Sequence, residues 1–153
     1  MIIEEKARAL AEPLLTEAGF VLWDVIFEKE GAMSYLRILF DKDGGGDGIN
    51  DEECALMTAP LNALMDKQEF IQHVDILEVG SPGLTRRLRR PEHFGQSIGK
   101  ALRVMKRADK GKTGVIYGTL EAYEPETNQI SLKTDTELVI IGVKNCLKIN
   151  LDF

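Results

Sequence analysis

The chain has 153 residues, 44% of them hydrophobic and 29% charged, a composition that folds as one ordinary domain or two small ones. The formal net charge of −6 conceals a segregation: residues 1–84 hold six Lys or Arg against 17 Asp or Glu, residues 85–112 hold ten against two, and residues 113–153 hold three against six. Cys54 and Cys146 stand far apart, which excludes a zinc knuckle or disulfide framework, and neither an export signal nor a membrane-spanning run is present, so a cytoplasmic protein without a membrane partner is expected.

The first element reads as a helix. Ile3, Ala7, Leu10, Ala11 and Leu14 recur at three- and four-residue steps on one face, and Gly19 is a natural stop. Pro13 lies inside the pattern, where it removes a backbone donor and predicts a kink or an early end. Residues 20–28 and 34–40 are β-branched, aromatic and aliphatic, and the polar residues between them predict a hairpin. Trp23, Phe20 and Phe27 fall in this strand pattern and are expected to pack in a core. Asn50 with Glu53 has the spacing of a capping box, with Ile49 and Cys54 as its hydrophobic staple. The helix it opens should run to about Met65 and turn Leu56, Ala59 or Pro60, Ala63 and Leu64 inward. A strand over 70–79 follows.

From Gln96 onward the pattern changes to short strands divided by turns, over 101–106, 115–123, 129–133, 138–141 and 147–151. The reading is therefore an α+β protein. An N-terminal α/β domain over 1–84 has the order α-β-β-α-β, with helices on one face of a three-stranded sheet. A basic interdomain linker over 85–95 leads to a C-terminal Sm-like or SH3-like β-barrel over 96–153.

Two motif-like stretches fail on their chemistry. The loop from Asp41 through Asp43 and Asp47 to Glu52 has the length of a calcium-binding loop, but Gly45 stands where an oxygen ligand is needed and a strand precedes it. Gly111-Lys112-Thr113 has the ending of a phosphate-binding loop, but Lys106 occupies the first glycine position and a strand follows. His73 and His93 lack a nucleophile or second ligand at a useful spacing and read as surface or linker residues. No catalytic residue, metal site or cofactor is expected.

The strip Arg86-Arg87-Leu88-Arg89-Arg90, continued by Lys100, Arg103, Lys106, Arg107, Lys110 and Lys112, is different. Guanidinium groups pair with phosphate and each neutralised phosphate releases counterions, so the strip fits a nucleic-acid backbone. An internal salt bridge to the acidic first domain is the competing explanation.

Leu77-Glu78-Val79-Gly80-Ser81-Pro82-Gly83-Leu84-Thr85-Arg86-Arg87-Leu88 closely resembles the signature of the RimP ribosome maturation factors. Gly48-Ile49-Asn50-Asp51-Glu52-Glu53-Cys54, Pro91-Glu92-His93-Phe94 and Asn145-Cys146-Leu147-Lys148 extend the resemblance over nearly the whole chain. Gly80, Thr85 and Arg87 depart from the family pattern, and Ser81, Pro82, Gly83 and Arg86 match it. The resemblance implies a non-enzymatic protein, expected as a monomer, that binds the small ribosomal subunit during its assembly; a free-standing Sm-like RNA-binding module is the alternative. Arg86, Arg89, Lys106 and Arg107 are the expected ribosomal RNA contacts. An acidic lobe is repelled by RNA, so Glu28, Glu30, Asp41, Asp43 and Asp47, read as exposed hairpin and loop residues, are expected to meet a basic ribosomal protein.

Overall fold

The computed structural model describes residues 2–42, 48–83, 85–109 and 112–152, the side chains of 108, 109, 112 and 113 excepted. The chain divides into two compact units, Met1–Gly83 and Leu84–Phe153. Asp43, Asp47, Lys110 and the three glycines 44–46 of the calcium-like loop lie outside the described residues.

In the first unit, helix α1 (Ile3–Glu17) precedes strands β1 (Phe20–Glu30) and β2 (Met33–Lys42), helix α2 (Asp51–Asp66), a 3₁₀ turn at Glu69–His73 and strand β3 (Ile76–Gly80). The strand order is β1-β2-β3, antiparallel and then parallel. Residues of both helices and of one sheet face share a single apolar cluster, which gives the α/β arrangement that the periodicity predicts. From α1 come Ala7, Ala11 and Leu15, and from β2 the alternating Leu36, Ile38 and Phe40. The strand β1 reaches the same face only through an irregularity. Its register shifts between Leu22 and Asp24, so Leu22 lies opposite Phe40 and Val25 opposite Ile38. In an unbroken strand the three-residue step from Leu22 to Val25 would put them on opposite faces; the bulge at Trp23 absorbs one residue and brings both to the core face.

Several expectations need correction. The helix α1 does not end early at Pro13; it continues to Glu17, and Gly19, at a φ of 90°, follows its Ala18 cap. In α2 the fully inward residues are Met57, Leu61 and Met65; of the predicted set Leu64 packs half-buried against the core, whereas Leu56 is 68% exposed. The predicted face is one residue out of phase because Met57 and Met65 extend the four-residue step through Leu61. The strand predicted over 70–79 is only Ile76–Gly80, since Phe70 enters the core from the 3₁₀ turn instead. The capping box forms as read: Glu53 N–H donates to Asn50 Oδ1 at 2.8 Å and Asn50 N–H to Glu53 Oε1 at 3.0 Å.

The second unit has helix α3 (Pro91–Gln96) and strands β4 (Ala101–Asp109), β5 (Lys112–Glu124), β6 (Gln129–Lys133), β7 (Leu138–Gly142) and β8 (Cys146–Leu151). All five predicted strands are present, in one antiparallel sheet ordered β7-β6-β5-β4-β8. The sheet is open rather than a closed barrel, for among the described residues β7 and β8 pair on one side only. Leu102, Val104, Leu120, Ile130, Leu132 and Ile149 are buried on its inner face.

Residues 85–95, expected as a linker, are folded into this unit. Leu88 N–H donates to Ile149 O at 2.7 Å and Leu151 N–H to Arg86 O at 3.0 Å, so the segment runs beside β8. Leu88 is buried, which anchors it. His93, expected at the surface or in a linker, is only 1% exposed. Its Nδ1 accepts the amides of Arg89 and Arg90 at 2.9 and 3.0 Å, which satisfies two donors before α3 and assigns the ring proton to Nε2. Phe94 is fully buried and stacks on Tyr123 with ring centres 4.8 Å apart.

Candidate functional site

The basic strip is contiguous in sequence but divided in space. Residues 86–88 run beside β8, with Arg86 level with Leu151 and Arg87 bridged to Asn150. Lys106 pairs instead with Cys146, at the opposite end of β8. Arg107 is exposed, and its Nε donates to Lys144 O at 3.0 Å. Arg89 lies at the turn into α3, where its backbone amide is held by His93. The four expected RNA contacts are thus distributed along the β8 side of the sheet rather than clustered.

Register gathers a different set. On the outer face of the sheet Arg103 lies between Asn150 and Tyr117, and in the next row Met105 lies between Lys148 and Val115. Arg87 continues the first row through its bridge to Asn150. The Asn150 side-chain amide donates to Thr85 O at 2.9 Å, tying the edge of this row to the start of the unit. Tyr117 is 57% exposed and Val115 41%, so the face combines cations with accessible apolar surface. The sequence strip contains Arg103, but Tyr117 and Lys148 lie beyond it. Alternation along β4, β5 and β8 is the signal that would join them.

The acidic residues of the first unit also differ from expectation. Glu28 and Glu30 converge on Arg37: its Nη1 lies 2.9 Å from an oxygen of each, and its Nε donates to Glu78 at 2.8 Å. The Arg37 guanidinium also lies 4.5 Å from the centre of the Tyr35 ring. Hydrogen bonds to Glu30 and then Glu78 raise the guanidinium pKa above its ordinary value, against the smaller effect of burial. Three carboxylates around one cation leave this cluster with an excess of negative charge. Asp41, expected to be exposed, is 7% exposed, and its Oδ1 accepts the Lys42 amide at 2.8 Å.

Among the described residues no group of His, Cys, Asp and Glu is placed to hold a metal ion, and no helix is long and apolar enough to cross a membrane. Cys146 is buried, and that burial pushes its thiol pKa up against the smaller opposing influence of Lys106 and Arg107.

The family model described as the RimP N-terminal domain matches residues 10–85. The chain belongs to the RimP family. That family consists of ribosome maturation factors, and the matched residues span almost all of the acidic unit and end inside the signature. Within the RimP signature Ser81 Oγ accepts the Gly83 amide at 3.0 Å, and Gly83 has a φ of 82°. This is a side-chain-supported turn that needs glycine at its end. Arg86, the basic residue that matches the RimP motif, lies after the turn and its carbonyl is bonded to β8.

Proposed function

We propose that this protein matures the small ribosomal subunit by binding to it, without catalysis, from the cytoplasm and as a monomer. Family membership supplies the process, and the charge segregation carries the division of labour. Residues 1–84 have a net charge of −11 and residues 85–112 one of +8. RNA phosphates attract the second segment and repel the first, so the basic unit meets ribosomal RNA while the acidic unit meets a basic ribosomal protein. Glu28, Glu30 and Glu78 around Arg37 give the acidic unit a fixed array in which an incoming Arg or Lys finds carboxylates already oriented. Asp41 is too buried to take part directly, whereas Asp43 and Asp47 remain in the proposed interface. Such a factor acts by favouring one conformation of the assembling particle over another, which requires differential affinity and no chemical step. The Sm-like character of the second unit belongs to the same reading, supported by five short antiparallel strands in which the first pairs with both the second and the last.

Binding of the full chain to small subunits, titrated with salt, tests the RNA half. Alanine at Arg86, Arg89, Lys106 and Arg107 should weaken binding and flatten the slope of log affinity against log salt, by about 0.9 for each phosphate left unneutralised on duplex-like RNA. A folded quadruple variant with an unchanged slope would remove the strip from the footprint. Lysine at Glu28, Glu30, Asp43 and Asp47 tests the protein half, and should abolish capture of purified basic small-subunit proteins.

A further inference from the structure

We propose that the outer face of the second sheet holds an unpaired RNA nucleotide, its base stacked on Tyr117 and its flanking phosphates on Arg103 and Lys148. This deepens the RNA reading above and rests on it. The observation that carries it is an aromatic ring with no structural duty at the centre of a cationic sheet face. Tyr117 sits in the middle of β5, yet is 57% exposed, so it contributes little to the core that its neighbours Ile116 and Gly118 face. Its cross-strand partner is Arg103, and side chains so paired have their Cβ atoms about 4.5–5.5 Å apart. One row along, Met105 and Val115 form an apolar pair beside Lys148. Among the described residues neither Arg103 nor Lys148 has an ion pair, and neither row contains a carboxylate.

These properties select among ligands. A basic polypeptide is repelled by Arg103 and Lys148, while a polyanion is attracted. A duplex presents phosphates but keeps its base faces stacked inside the helix, which leaves Tyr117 without a partner. An unpaired strand offers both phosphate and a free base face, and aromatic residues interleaved with cations on a sheet are the arrangement that takes it. Stacking on tyrosine is tolerant of base identity, so the site reads single-strandedness more than sequence.

Fluorescence anisotropy of a labelled single-stranded oligoadenylate with the full chain tests the proposal. Tyr117→Ala should weaken binding by about 5- to 100-fold, the loss of one base–aromatic stack, and Tyr117→Phe should retain it. Arg103→Ala should flatten the salt slope by about 0.7, the single-strand value for one phosphate. Equal affinity of the parent for oligoadenylate and for inorganic polyphosphate, which has no bases, would overturn it, as would a Tyr117→Ala protein that binds oligoadenylate undiminished. A face that takes a polypeptide instead would show no saturable oligoadenylate binding, and that result also overturns the proposal. The parent reading fails separately, through the salt slope of the quadruple strip variant on small subunits. Because Tyr117 is exposed, its substitutions leave the core intact, and unchanged thermal unfolding of each variant verifies this.

Discussion

The two units manage the charge on their sheets in opposite ways. In the first, a cation at the sheet centre, Arg37, is enclosed by Glu28, Glu30 and Glu78, so opposite charges are matched locally and an excess of acid remains around them. In the second, Arg103 and Lys148 are separated by register and interleaved with Met105, Val115 and Tyr117. A matched network presents a rigid, preorganised array, whereas spaced cations with apolar surface between them favour an extended polyanion with stackable bases. On the proposed reading, this contrast lets a chain that is acidic overall, with a net charge of −6, meet RNA through its second unit.

The largest effect expected from breaking this comparison lies in the scaffold beneath the acidic face. Phe40 is fully buried and meets Phe20 edge-on at 5.1 Å, so Phe40→Ala should cost about 3–5 kcal/mol, read from urea unfolding. A loss as small as that of a surface substitution would mean that the core does not support the sheet as described. In the second unit Gly118→Ala places a methyl 3.0 Å from the Lys133 carbonyl oxygen, and the backbone must move. The expected cost is about 1–3 kcal/mol, and amide exchange should quicken at the β5–β6 pairing.

A smaller effect sharpens the acidic side. Asn50→Ala removes a helix cap and should cost about 1 kcal/mol. The Asn50 amide, and after it Lys42, holds the Glu53 carboxyl below its ordinary pKa. A carboxyl depressed in the folded state contributes stability that is present above its unfolded pKa and lost as pH falls through the lower folded value. Urea midpoints of Glu53→Gln and the parent should therefore differ at pH 7 and converge in strong acid; a difference independent of pH would contradict the cap. The smallest effect concerns chemistry rather than stability. With its thiol pKa raised by burial, Cys146 should be alkylated more slowly at neutral pH than an unfolded-chain cysteine, and equal rates in intact and urea-unfolded protein would show that the thiol is accessible.

Much of the fold is legible in the sequence because its signals are local. The Asn50–Glu53 cap, the Gly19 stop and the five short strands after Gln96 each follow from residues within a turn or two. What escapes depends on neighbours far along the chain. The register shift at Trp23 is visible only against β2, and the inward face of α2 is decided by which of two adjacent stripes meets the sheet. His93 resembles a linker residue in sequence because its buried role is to accept the Arg89 and Arg90 amides, a backbone duty that composition does not reveal. The same limit applies to the site. Contiguity singles out Arg86, Arg89, Lys106 and Arg107, whereas pairing places Arg103 beside Tyr117, 14 positions along the chain. Asp41 reads as a loop acid in sequence, but it belongs to the pairing of β1 with β2, opposite Val21.

The central claim is that a protein with one acidic and one basic unit recognises the small ribosomal subunit through both. Sedimentation of the purified full chain with separated small and large subunits, at low and high salt, tests it most directly. The protein should travel with the small subunit alone, and its bound fraction should fall as salt rises. Equal recovery with both subunits, or small-subunit binding that salt leaves unchanged, would contradict the account.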